Sequence, residues 1–297
     1  LLSENALSLI LEPSEMRAVE RLRFNTRKTF SGRVRGERLT KRKGISIEFA
    51  DYREYSHGDD LRHLDWNVLA RLQSPVIKTY QDEEDLAVYL ALDCSSSMSF
   101  GDPLKLSAAC KVLAALALAA LNAQDALNPR VIGKRQQPPR AIRSRSSYPK
   151  FAAWLNGQTA DGDQVLSQSL KEFAGSALRA GVVVIASDGL DPSIRQSIRV
   201  LSARGHEVWF VQILSAEELD PDMEGDLKLI DVESGVTVEV TANSAAIEAY
   251  RKNLKTHCEG IAAECQKVGG RYALLPNNRP LMDFIRDTLR REGWLST

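Results

Sequence analysis

In LAVYLALDCSSSMSF, Leu86 to Phe100, an apolar run stops at Asp93 and gives way to the hydroxyls of Ser95, Ser96, Ser97 and Ser99. A second apolar run, VVVIA at 182–186, ends the same way, in Ser187, Asp188 and Gly189. Two carboxylates with hydroxyls beside one of them make a hard oxygen cluster. Mg²⁺ and Mn²⁺ favour such a cluster, because they take six oxygens in an octahedron and keep several waters. In the spacing D-x-S-x-S, alternate residues leaving a strand turn the same way, so Asp93, Ser95 and Ser97 face one concavity. Neutral hydroxyl ligands leave a divalent ion electrophilic and open to a carboxylate from another molecule. The same residue types also cap helices that follow strands, and both readings stand at this level.

The elements that must position these residues follow from the hydrophobic periodicity. Strands are expected at 86–92, near 129–133, at 182–186, 207–214 and 271–275, with a hairpin in LKLIDVE-SG-VTVEV at 227–240. Helices are expected at 103–124, 148–156, 163–179, 193–203, 244–268 and 279–291. Short apolar strands alternating with amphipathic helices indicate an α/β fold, a doubly wound and mostly parallel sheet. Such sheets bind ligands outside the carboxyl ends of their strands, where Asp93 and Asp188 fall. The expected organisation is a helical and irregular N-terminal extension over 1–81, with a helix opening at Pro13 and Ser14, then the sheet domain over 82–297.

Within the extension, EFADYREYSHGDDLRHLDWNVLARLQSPVIKTYQDEED mixes aromatic residues with both charge signs. Asp51, Arg53, Asp59, Asp60, Arg62, His63 and Asp65 suit a structural network anchored by Tyr52, Tyr55 and Trp66, since a bidentate guanidinium fixes geometry. A catalytic constellation is the competing reading. His57 and His63 lack cysteine partners, which argues against zinc. His206 and His257 are expected at the surface or as caps, and Cys258 and Cys265 as core-facing thiols.

Lys+Arg and Asp+Glu both number 39, so net charge points to no partner. The distribution is uneven: eleven Lys or Arg lie between Arg17 and Lys43 against Glu20 and Glu37. This basic arm, with Arg130, Lys134, Arg135, Arg140, Arg143 and Arg145, is a candidate phosphate contact, although no nucleic-acid module accompanies it. Four cysteines without C-x-x-C, and no basic-then-apolar leader, lead to the expectation of a reducing, cytoplasmic setting. VLAALALAAL at 112–121 is about half a bilayer span and reads as a buried helix.

DCSSSMS, ASDGLD and the alternating pattern resemble the von Willebrand factor type A domain with its metal-ion-dependent adhesion site. That resemblance implies direct metal ligation by Ser95 and Ser97, with Asp93 and Asp188 acting mainly through water. It also implies a threonine from an intervening loop, best matched by Thr159 in NGQTADGD, where Asp161 and Asp163 are rival oxygens. GISIEFADYREYSHGDDLRHLDWNVLAR, LDCSSSM, SDGLD, ARGHEVWFVQIL and the C-terminal H-x-x-G-I-A-x-x-C-x-x-x-G-G-x-Y-A-L pattern resemble the bacterial family called domain of unknown function 58. This implies a role as an adaptor or chaperone-like partner of a MoxR-type AAA+ ATPase or its client, not an enzyme, with Mg²⁺ or Mn²⁺ as cofactor. Residues 51–66, including Tyr55, Asp65 and Trp66, are then a structural or partner-binding segment. A metal-dependent hydrolase using the same aspartates is the alternative. Hydrolysis needs a generated hydroxide and a general base or second cation, and no G-x-S-x-G or H-E-x-x-H pattern supplies one. Nucleic-acid binding through the basic arm is the third class.

Overall fold

VVVIA and EVWFVQIL are apolar on both faces of an extended chain, as strands covered on both sides require. The computed structural model describes residues 10–30, 48–56, 61, 64–81, 85–176, 178–222, 225–230 and 235–297. In chain order the elements are α1 (Pro13–Val19), β1 (Arg23–Phe24), β2 (Glu48–Glu54), α2 (Trp66–Leu72), β3 (Val76–Gln81), β4 (Ala87–Asp93), α3 (Lys105–Asn122), β5 (Ala126–Ile132), α4 (Tyr148–Asn156) and α5 (Leu166–Gly175). They continue as β6 (Val182–Ser187), α6 (Ile194–Ala203), β7 (Glu207–Leu214), α7 (Ala216–Leu219), β8 (Gly225–Ile230), β9 (Thr237–Ala242), α8 (Ser244–Lys267), β10 (Arg271–Pro276), α9 (Leu281–Phe284) and β11 (Leu295–Ser296).

The fold is mixed α/β, with a five-stranded, wholly parallel sheet in the order β10-β7-β6-β4-β5, flanked by helices. Interior β4 sets Leu90 opposite Val184 of the central β6 and Pro129 of β5. Proline donates no backbone hydrogen bond and is tolerated at a sheet edge, which is where β5 lies. On one face Tyr89, Ala91, Val183, Ile185, Val208 and Phe210 form a cluster with Leu170 and Phe173 of α5, Ile198 and Leu201 of α6, and Ile261 and Cys265 of α8. The period-two partners Val88, Leu90, Val184 and Trp209 are equally buried, and α3 contacts β4, β5, β6 and β7. By length and composition α3 could cross a membrane, but 83% of its 18-residue apolar window is buried inside the fold. Each leucine it buries contributes roughly 1.5–3 kcal/mol.

Residues 10–28, grouped with the extension on sequence, fall in one compact unit with residues 86–297, and residues 29–85 form a second unit. In the first, β1 pairs antiparallel with β11, and the Phe24 ring stacks on Trp209 at 4.9 Å between centroids. Trp294 meets the same indole edge-on at 5.3 Å. Buried Glu207, at the start of β7, accepts the Arg27 and Lys28 backbone N–H groups at 2.7 and 2.8 Å and Trp209 Nε1–H at 2.7 Å. In the second unit, β2 pairs antiparallel with β3, and Asp65 caps α2 by accepting the Asn67 and Val68 N–H groups. The hairpin read from the sequence is β8 with β9, a separate antiparallel ribbon. The helix expected over 279–291 is α9 followed by a wider π turn over Ile285–Arg290.

Candidate strand-end site

From β4 the chain moves to β5 on one side, then returns to β6 on the other side of β4. The carboxyl ends of β4 and β6 therefore flank the point where strand order reverses, the usual ligand crevice of an open α/β sheet. Asp93 ends β4 and Asp188 follows β6. Asp93 is fully buried, its Oδ1 accepting Ser95 N–H at 2.9 Å and its Oδ2 the Ser187 hydroxyl at 2.5 Å. Ser95 Oγ and Ser97 Oγ lie 3.1 Å apart. The two hydroxyls are hydrogen-bonded to each other at this distance, which is also close to the edge of about 3.0 Å of an oxygen octahedron with metal–oxygen distances of about 2.1 Å. One Asp93 oxygen holds the serine loop and the other the end of β6, which suits contact with an ion through water.

Gly133, which follows β5, closes the floor of the site. Its φ is +77°, and a Cβ there would lie 2.8 Å from Ser95 N and 2.9 Å from Asp93 Oδ1. Packed against it, the Gly162 N–H donates to the Cys94 carbonyl at 2.8 Å and the Ser96 hydroxyl to the Gly162 carbonyl at 3.1 Å. The 159–164 loop is thus fixed against the serine loop. Thr159 itself is exposed, donates to Asp161 Oδ1 at 3.0 Å and accepts from Lys134 Nζ at 3.1 Å. Lys134 also pairs with Asp161, so the structure engages this hydroxyl with a surface ion pair and not with the serines.

Two residues that pattern reading did not single out complete the site. Lys105 is fully buried and sets its ammonium 2.9 Å from Asp188 Oδ2 and 2.7 Å from Glu218 Oε1. Burial alone would lower its pKa, but the two carboxylates more than offset this and raise it, so the ammonium stays charged. A charge at the very start of the apolar helix KLSAACKVLAAL, about a turn and a half before exposed Lys111, was the available signal. Glu218 lay in a short acidic turn with no periodicity to mark it. The Asp188 carbonyl accepts from Gln212 Nε2 at 2.7 Å, and His257 Nε2 donates to the Gly189 carbonyl at 2.8 Å.

Asp93 is pushed up to about 7, first by burial and then by the negative charge of Asp188. Its folded pKa thus exceeds its unfolded value near 3.8. Between about pH 4 and 7 the folded state keeps a proton that the unfolded chain has released, so stability falls as pH rises through this window and levels off above it. Each pH unit crossed accounts for up to about 1.4 kcal/mol. Denaturant unfolding between pH 4.5 and 8 in EDTA should show this decline in the wild type and a flatter profile in Asp93→Asn; parallel profiles would contradict the assignment. Cys94, beside it, is pushed up to about 12 by burial and by Asp93, which leaves an inert thiol.

Other sequence candidates fall elsewhere. Asp59, Asp60, Arg62, His57 and His63 lie outside the described residues, as does the side chain of Asp51. Asp65 is buried and its Oδ2 accepts the Tyr52 hydroxyl at 2.9 Å. Trp66 is 62% exposed and Arg53 is exposed, while Tyr55 is half-buried. Trp66 is therefore no buried anchor. His206, expected at the surface, is buried against Tyr89 and Phe173, because β7 begins beneath α5. Of the basic residues, Arg27 and Lys28 donate to the Gly270 and His206 carbonyls, Arg145 pairs with Glu20, and Arg130 lies over the Tyr89 and Phe173 rings. These cations are spread over separate sites. Among the described residues no three His, Cys, Asp or Glu converge as a metal ligand set, so any ion here relies on hydroxyls and water.

The geometry defines a class: a parallel α/β sheet protein with an oxygen cluster at its switch point. The chain belongs to the family described as Protein of unknown function DUF58, which residues 51–260 match. It is 28% identical over 302 residues to Uncharacterized protein Mb1516 of Mycobacterium bovis and to Uncharacterized protein Rv1480 of Mycobacterium tuberculosis, covering 96% of this chain and 92% of each relative. A conserved hypothetical protein, BatB from Bacteroides thetaiotaomicron, is similar in structure, with 16% identity, coverage of 70% of this chain and 96% of that one, and a TM-score of 0.44. An aerotolerance-related membrane protein from Bacteroides fragilis gives 17% identity, coverage of 69% and 99%, and a TM-score of 0.44.

Proposed function

We propose that this chain is a protein-interaction module of the von Willebrand factor A kind that captures a partner's carboxylate through a divalent cation at the strand-end site. The observation that carries this reading is the Ser95–Ser97 hydroxyl pair, 3.1 Å apart on the switch-point edge next to buried Asp93. A bound Mg²⁺ or Mn²⁺ supplies an electrophilic position for an anionic oxygen. Ser95 and Ser97 would hold the ion directly, and Asp93 and Asp188 through water. Asp93 also fixes the serine loop through the Ser95 N–H and ties it to the end of β6 through the Ser187 hydroxyl. Around the crevice, Phe100, Leu104, Val165 and Leu190 are exposed apolar residues next in sequence to site loops or helix starts, and they suit a partner carboxylate flanked by apolar side chains.

The partner in this reading is a MoxR-type AAA+ ATPase or its client, encountered in the cytoplasm; the four free cysteines support a reducing compartment. Calorimetric titration of Mg²⁺ or Mn²⁺ should give a saturable site in the wild type that is lost in Asp93→Ala. A pull-down from the native host should recover the ATPase with the wild type and lose it with EDTA or Asp93→Ala. Equal heats from both proteins would end the metal reading, and recovery insensitive to EDTA would end the carboxylate-capture mechanism.

A further inference from the structure

Lys105 is hard to explain by local physics. It sits in the first turn of α3, where the positive end of the helix dipole disfavours a cation, and it is fully buried, where an ammonium is costly unless paired. What it meets there is specific. Its Nζ lies 2.9 Å from Asp188 Oδ2, on the loop after β6, and 2.7 Å from Glu218 Oε1, on α7 after β7. It is also 6.0 Å from the centroid of the Phe100 ring, just past the serine loop. A positive charge from α3 thus enters the strand-end crevice and takes one oxygen of the aspartate assigned above to the ion's water shell.

We propose that Lys105 is the resident counter-cation of this site: it neutralises Asp188 while no metal is bound and competes with a divalent cation for that carboxylate, so that the site binds Mg²⁺ or Mn²⁺ weakly and releases it readily. The proposal rests on the metal reading above and deepens it. Two carboxylates share the one ammonium, so when Asp188 turns to a hydrated ion, Lys105 keeps Glu218 and is never stranded. Glu218 is itself held: Ser215 and Glu218 form a reciprocal cap on α7, and the Glu218 carbonyl accepts the Tyr250 hydroxyl of α8 at 2.9 Å. Lys105 is a positioning residue, acting on the ion through Asp188.

The test is Mn²⁺ titration of the full chain at pH 7.5, reading free Mn²⁺ by electron paramagnetic resonance and thermal stability in parallel. Removing a unit charge this close to a divalent ion should tighten binding about tenfold or more in Lys105→Met, and added Mn²⁺ should raise its melting temperature more than that of the wild type. Lys105→Arg should restore wild-type affinity. Glu218→Gln, which leaves Lys105 to Asp188 alone, should weaken binding. Equal or weaker binding by Lys105→Met, with the wild type still binding, overturns this proposal and leaves the metal reading intact. If Lys105→Met does not fold, Glu218→Gln decides, and binding equal to or tighter than wild type overturns the proposal. Absence of Mn²⁺ binding in every protein overturns both.

Discussion

Glu207→Ala should lower folding stability by about 3–5 kcal/mol, the usual result of removing one partner from a buried charged network. Glu207 is fully buried, and its carboxylate ties three segments together. One oxygen accepts the Arg27 and Lys28 N–H groups; the other accepts Trp209 Nε1–H and lies 3.5 Å from Arg271 Nε. Without it those donors lose their acceptor, the largely buried Arg271 guanidinium loses its ion-pair partner while keeping the Glu292 and Asn25 carbonyls, and the 23–28 strap loses its fastening to β7. Urea unfolding followed by tryptophan fluorescence should show the loss, and limited proteolysis should cut near Arg27 in the variant first. Glu207→Gln keeps an acceptor oxygen and should cost less. A loss below about 1 kcal/mol in the alanine variant would show that the strap is held by the Phe24–Trp209 stack alone.

Gly162→Val should abolish divalent binding and destabilise the fold by about 1–3 kcal/mol, the usual range for overpacking a tight contact. The φ of Gly162 lies outside the left-handed region, so its conformation suits any residue; the obstacle is proximity. A Cβ at this position would lie 2.2 Å from the Gly133 carbonyl oxygen and 2.7 Å from that of Cys94. Both are backbone atoms and cannot swing aside. The 159–164 loop must therefore move off the serine loop, breaking the Gly162 N–H to Cys94 bond and releasing Ser96. Calorimetry with Mg²⁺ and a thermal melt measure the two effects together. Wild-type metal affinity in a folded Gly162→Val protein would show that the serine loop holds its shape without its neighbour.

The sheet was largely readable in the sequence, because a strand covered on both faces is apolar at every position and cannot pass for a surface helix. β5 was the weakest of these strands for an identifiable reason: Pro129 interrupts the pattern in ALNPRVI, and only its place at the sheet edge makes it tolerable. Asp93, Ser95, Ser97 and Asp188 were legible because polar residues that end apolar strands stand out. Lys105 and Glu218 were not, since their meeting depends on the loops after β6 and β7 converging on the first turn of α3, which no local period encodes. The placement of 23–28 was hidden for a similar reason. A two-residue strand that pairs with residues 295 and 296 carries no periodic signal, and its basic side chains read as a solvated arm.

The Phe24, Trp209 and Trp294 stack also sets an order of events during synthesis. Phe24 leaves the ribosome 185 residues before Trp209, the ring it stacks on, and 270 before Trp294, which closes on that indole, and contacts so distant along the chain slow folding. The β4–β5 and β4–β6 pairs can assemble while translation continues, but the seam of β1 on β11 closes only after residue 295 has emerged. Until then an apolar strand and an indole face stay uncovered, and such surfaces invite association between nascent chains. Slow translation of the last thirty residues should therefore lower soluble yield more than the same delay placed within 126–156.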